Sequence, residues 1–201
     1  MSPLLRLSTA DKDLASNLIA RALYDYPLFR YLIPDDRQRT KRLPILTGYL
    51  VRVGLLYGEV YITSPNLEGV AVWLPPKLNL NLVDLLFRIG IVTCPFKLGF
   101  KAFNNILSYI SHVETVCQTQ LSTDYWYLQV ISVDLAYQKQ GYGKRLIEPM
   151  LAKFKAQNLP CCLDTEEESS VAYYERYGFE VIDESPIAGT NSNCWIMVKY
   201  P

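Results

Sequence analysis

One histidine, three methionines and no CxxC pair in 201 residues exclude several chemistries at the outset. A Ser/His/Asp or Cys/His centre would have to run through His112, which lies in a polar stretch of helical character and reads as structural. The five cysteines, Cys94, Cys117, Cys161, Cys162 and Cys194, are odd in number and lack metal-site spacing, so they are expected to be reduced thiols, and no metal is expected. Net charge is also missing. Twenty basic residues balance twenty acidic ones, which leaves no field to gather nucleic acid or an anionic membrane and favours a small partner. The most apolar stretches, 43–57 and 78–94, are interrupted by Arg52 and by Asp84 and Arg88. Neither supplies the roughly 18 apolar residues of a membrane span. The opening MSPLLRLSTADKD has neither the apolar core nor the small-residue cleavage site of a secretory leader, and the expected location is the cytoplasm.

Half of the residues are hydrophobic, enough to bury one substantial core. Leu4 to Leu7 reads as a strand and Ala10 to Tyr24 as a helix capped by Ser8 or Thr9. A second helical region, Pro27 to Tyr57, should break near Pro34, restart with Asp35 as cap, and kink or divide at Pro44. Glu59 to Thr63 and Gly69 to Leu74 read as a hairpin around Ser64-Pro65-Asn66. Residues 75–121 read as a helical insertion of two helices, Leu80 to Ile91 and Phe96 to Thr119. Tyr125 to Val133 is apolar on both faces and so central in a sheet. A helix from Lys144 to Gln157 follows, with Pro149 inside it. Next come a strand over Pro160 to Leu163, a helix over Ser169 to Tyr177 ended by Gly178, and strands over Phe179 to Asp183 and Asn193 to Tyr200. The pattern is a mixed α/β domain covering residues 1–201.

Between the central strand and its helix lies Gln138-Lys139-Gln140-Gly141-Tyr142-Gly143. Two glycines one residue apart let a ligand approach the backbone, and the free N–H groups of the following helix favour phosphate. A glycine pair also serves as plain loop punctuation. There is no Gly-Lys-Ser/Thr of a P-loop and no third glycine of a dinucleotide fingerprint, which disfavours a nucleotide-binding reading.

About thirty residues on, with one strand between, comes Tyr173-Tyr174-Glu175-Arg176-Tyr177-Gly178-Phe179. The turn, strand and tyrosine segment together resemble the acetyl-coenzyme A site of the GNAT superfamily of N-acetyltransferases. That family's phosphate turn, Arg/Gln-x-x-Gly-x-Gly/Ala, is met by Gln138, Gly141 and Gly143. The segments 126–134, 146–149, 159–165 and 195–197 are similar to the branch that includes puromycin N-acetyltransferase. The resemblance implies a central mixed, mostly antiparallel, twisted sheet of about seven strands, splayed between the fourth and fifth and flanked by helices.

It further implies acetyl-coenzyme A as co-substrate and a small-molecule amine as acceptor, in a monomer or homodimer. Ile131, Ser132 and Val133 would pair with the pantetheine arm, a backbone N–H near Val133 would face the thioester carbonyl, and Lys139, Gln140, Tyr142 and Lys144 would complete the pyrophosphate cradle. Tyr174 matches the tyrosine that protonates the departing thiolate, and Asp164 stands where a carboxylate base is carried. The family's asparagine before the tyrosine helix is replaced here by Glu167, Ser169 and Ser170, of which Ser170 is assigned to the coenzyme site. Glu166, Glu167 and Glu168 read as a solvated charge run, and Trp126 reads as core or as a wall of the acyl pocket. Residues 20–57 and 75–121 would wall the acceptor pocket, where Tyr24, Tyr26, Phe29, Tyr31 and Tyr109 suit an apolar or aromatic amine. The rival reading is a non-catalytic acyl-coenzyme A sensor.

Overall fold

The computed structural model describes residues 4–78, 88–121, 124–187 and 192–201. Its strands are β1 (Leu5–Arg6), β2 (Glu59–Ile62), β3 (Gly69–Leu74), β4 (Trp126–Val133), β5 (Cys161–Thr165), β6 (Glu180–Pro186) and β7 (Asn193–Lys199). Helices α1 (Lys12–Ala22), α2 (Pro27–Leu32), α3 (Asp36–Tyr57), α4 (Cys94–Leu98), α5 (Phe100–Gln120), α6 (Tyr142–Ala156) and α7 (Glu168–Glu175) pack against them. The strands form one seven-stranded sheet in the order β1-β2-β3-β4-β5-β7-β6. Only β4 and β5 are parallel; every other neighbouring pair is antiparallel.

Local chemistry explains most boundaries. Asp35 caps α3 by accepting from the Gln38 N–H at 2.8 Å. Ser8 caps a short 3-10 turn, Thr9–Asp11, which delays the start of α1 to Lys12. Of the two outcomes expected at Pro44, division does not occur: α3 runs through it. Leu43 and Leu46 are buried on either side of it, and the Thr47 hydroxyl donates to the Leu43 carbonyl at 3.0 Å, so tertiary packing outweighs the missing N–H. The helix expected over Phe96 to Thr119 is two helices, because Gly99 at φ +91° turns the chain between α4 and α5. The helix expected over Leu80 to Ile91 falls largely outside the described residues.

The helices sort onto two faces. On one, α6 and α7 cover Trp73, Trp126, Leu128, Leu163 and Met197. On the other, α1 and α3 cover Val60, Val70, Val72 and Val130, while α5 covers Cys162, Cys194, Ile196 and Val198. All five cysteines are free and buried. Trp126 is core: its ring stacks on Phe154 at 4.7 Å and its indole N–H donates to Gln157 at 2.8 Å. Phe154 also meets Trp73 edge-on at 5.3 Å and is 1% exposed.

Among the described residues no helix is long and apolar enough to cross a membrane. Phe154→Ala should cost about 3–5 kcal/mol, since it removes the ring that ties α6 to β3 and β4; urea unfolding of the purified protein measures it.

Candidate active site

Parallel pairing of β4 with β5 runs only through Trp126↔Cys161, Tyr127↔Cys162 and Leu128↔Leu163, although β4 continues to Val133. The parting begins at a bulge. On the β3 side Trp73 faces Leu128 and Val72 faces Val130, so Gln129 is an extra residue in β4. Beyond it β4 has one free edge.

Which groups line that edge follows from strand alternation. The Asp134 N–H donates to the Glu68 carbonyl at 2.9 Å, which turns Ser132 and Val130 toward β3 as well. Ile131 and Val133 therefore present their N–H and C=O groups to the gap, and the Val133 carbonyl accepts from the Gln138 amide at 3.3 Å. The main chain of Ser132 faces β3 and not the gap, which narrows the expected backbone trio to two. Its hydroxyl is buried without a partner among the described residues, as is the Gln129 Oε1.

The glycine turn sits at the far end of this edge. Lys139 has φ +61° and Gly141 φ +86°, and an added Cβ at Gly141 would meet nothing within 4 Å. Gly141 is thus required by backbone conformation alone. As N-cap of α6 it has no capping side chain, so Tyr142, Gly143 and Lys144 begin the helix with N–H groups that have no acceptor four residues back. Gln138, Lys139, Gln140 and Lys144 are exposed around it. At Gly143 the reason differs: a Cβ there would stand 3.0 Å from the Tyr173 hydroxyl. Tyr173, which also lies 3.3 Å from the Tyr177 hydroxyl, is the α7 residue that reaches the turn. Ser170 instead occupies the first turn of α7, with its N–H donated to the Glu167 carbonyl at 2.9 Å.

Tyr174, the next residue of α7, is 8% exposed and packs its ring against Tyr173 and Phe179. Burial first, then the neighbouring Tyr173 and Asp164, hold its hydroxyl well above the ordinary phenol range, so it stays protonated.

At the end of β5 a buried acid cluster forms. Glu166, expected in a solvated charge run, is 4% exposed; Glu168 alone of the three glutamates is exposed. Spaced two residues apart, Asp164 and Glu166 bring donor atoms, together with the Cys194 Sγ, within 4.8 Å of one another. The Tyr109 hydroxyl of α5 bonds to both Asp164 and Glu166, and the Tyr127 hydroxyl of β4 bonds to Asp164. Tyr26, between α1 and α2, bonds to the Thr165 hydroxyl at 2.7 Å and accepts from the Glu166 N–H at 3.0 Å. Burial is the main cause that raises both acids; the Asp164 charge adds to it at Glu166, which is pushed up to about 8.

Of the aromatics expected to wall the acceptor side, Tyr26 and Tyr109 reach this cluster. Phe29 is core, Tyr31 is a partly buried packing residue, and the Tyr24 hydroxyl is spent on the Asp36 carbonyl at 2.9 Å. Glu166 and Tyr127 were not singled out from sequence; their i, i+2 and cross-strand relation to Asp164 was the available signal. A separate cleft of about 480 Å³ between α1, α3 and the β2–β3 turn contains neither the acids nor Tyr174.

Residues 105–181 match the family model for an acetyltransferase (GNAT) domain. An uncharacterized N-acetyltransferase of Schizosaccharomyces pombe is 24% identical over 180 residues, 87% of this chain and 72% of that protein. A Corynebacterium glutamicum structure described as histone acetyltransferase HPA2 and related acetyltransferase superposes with a TM-score of 0.68 at 19% identity, over 100% of this chain and 97% of that one. Arylalkylamine N-acetyltransferase 2 from Aedes aegypti gives 0.66 at 17% identity, over 98% of each chain. The fold is that of the GNAT acetyltransferases, and the family-model match covers residues 105–181, under half of the chain.

Gly141→Ala should lose about 1–2 kcal/mol of stability from the left-handed backbone alone, and Gly141→Asn less than that. Denaturant midpoints of the two variants against the parent check the order.

Proposed function

We propose that this chain, which has the fold of the GNAT acetyltransferases, moves an acetyl group from acetyl-coenzyme A to the amine of a small molecule by direct transfer in a ternary complex. The observation that carries the reading is the parting of β4 from β5 after Leu128 and Leu163, with the phosphate-type turn at one end and the acid cluster and Tyr174 beside it. The main-chain groups of Ile131 and Val133 would pair with the amide-bearing pantetheine arm as a strand would, and the N–H of Val133 would polarise the thioester carbonyl. The free N–H groups of Tyr142, Gly143 and Lys144, with the exposed side chains of Gln138, Lys139, Gln140 and Lys144, would hold the pyrophosphate. Ser170 would contribute at the margin of the coenzyme site.

An alkylammonium cannot attack a carbonyl until it gives up a proton, and Asp164 is the acceptor we assign. The neutral amine then forms the N–C bond, the C–S bond breaks, Tyr174 supplies the proton that the departing thiolate takes, and the second proton shed by the acetylated nitrogen restores the phenol. Because a thiol of pKa about 8.5 is already a fair leaving group, Tyr174 assists rather than enables. The tyrosines Tyr26, Tyr109 and Tyr127 around the acids favour an amine carried on an apolar or aromatic body, held by cation–π and edge contacts. Kinship with the puromycin-acetylating branch rests on the short segments quoted from the sequence, and puromycin therefore belongs among the amines to be tried.

Calorimetric titration with acetyl-coenzyme A should show saturable one-site binding, and no heat at millimolar ligand ends the proposal. Thiol release with a panel of amines should follow; binding without turnover on any of them would favour the sensor. Tyr174→Phe should lower kcat by about 10²-fold or less, with KM for acetyl-coenzyme A little changed.

A further inference from the structure

Tyr109 carries one hydroxyl proton yet bonds to a carboxyl oxygen of Asp164 and to one of Glu166. A single O–H can be donated to only one of them. The second bond requires a carboxyl that brings its own proton and donates it to the phenol oxygen. Asp164 already receives the Tyr127 hydroxyl on its other oxygen, so it is the better-solvated anion. Glu166, buried deeper and joined to Tyr109 through one oxygen, is the better place for the proton.

From this arrangement, and resting on the acetyl-transfer reading, we infer that Tyr109 is a positioning residue: its bridge fixes one proton on Glu166 and leaves Asp164 as the sole carboxylate facing the acceptor amine. Glu166 then has a role that is neither packing nor base. It keeps the pair from reaching a double negative charge, which the surroundings could not support. The groups facing the pair are Tyr26 from the α1–α2 connection, Tyr109 and Cys117 from α5, Tyr127 from β4, Cys162 from β5, Tyr174 from α7 and Cys194 from β7. None of these is a cation. The positive charge that completes the cluster is the incoming ammonium, which hands its proton to Asp164 and leaves as a neutral amine toward the thioester. One proton moves from nitrogen to oxygen, and no co-reactant is needed.

Glu166 titrates well above its unfolded value, so the folded state holds a proton that the unfolded chain releases. The sign is that of a raised acid: stability is unpenalised below the unfolded pKa and falls as pH rises toward about 8. Substitutions separate the assignments. Glu166→Gln keeps a neutral donor in place and should leave the acid limb of kcat/KM where it is in the parent, whereas Asp164→Asn should abolish that limb and lose about 10²–10⁴-fold in kcat. Tyr109→Phe removes a donor to the charged Asp164 and should move the acid limb of kcat/KM up by about one to two pH units.

Thermal unfolding needs no substrate: the parent Tm should decline between pH 5 and pH 8 more steeply than that of Glu166→Gln. Parallel Tm profiles, or activity lost in Glu166→Gln and spared in Asp164→Asn, overturn the inference. A parent that turns over no amine while its Tm profile behaves as described overturns the acetyl-transfer reading and leaves the shared proton standing.

Discussion

The parting of β4 and β5 is the constraint on which the site depends. Two parallel strands that pair for three residues and then separate leave main-chain groups of Ile131 and Val133 facing a gap, where the Gln138 amide meets the Val133 carbonyl, and such an open strand edge calls for an occupant. The bulge at Gln129 sets where the separation starts, and the glycine turn ends it. Packing keeps the gap open: α6 and α7 hold β4 and β5 from one face through Trp126, Phe154 and Leu163, while α5 and the α1–α2 connection hold the other through Tyr109 and Tyr26.

Electrostatically the two faces differ. The α6 side offers helix N–H groups and exposed lysines to an anion, whereas the acid pair lies on the opposite side of β5 among tyrosines. Such a division suits a reaction that brings an anionic carrier and a cationic acceptor together from two directions. It also keeps the acid pair apart from the anionic carrier.

How much of this was legible in the sequence depended on whether a signal was local. The cap at Asp35, the hairpin at Ser64-Pro65-Asn66 and the left-handed Gly178 follow from near neighbours in the chain, whereas the seven-strand mixed sheet came through the resemblance. That α3 runs undivided through Pro44 was not legible, because the cost of the proline is local while the packing that outweighs it is not. Glu166 misled for the converse reason: three glutamates in a row look solvated, and only the arrival of Tyr26 and Tyr109, 140 and 57 residues away, buries one of them. The assignment of Ser132 by sequence position missed that strand alternation turns its main chain toward β3.

Tyr26 has a consequence for how the acid pair is held. It belongs to the short connection between α1 and α2, yet its hydroxyl is tied to Thr165 and to the N–H of Glu166 at the end of β5. Those two hydrogen bonds, each contributing about 0.5–1.5 kcal/mol, are a clasp between the first helices and the far end of a strand 139 to 140 residues away. The carboxyl of Glu166 is thus presented by a backbone fastened from outside its own strand, and the position of the shared proton depends on a part of the chain that carries no acid in the pair.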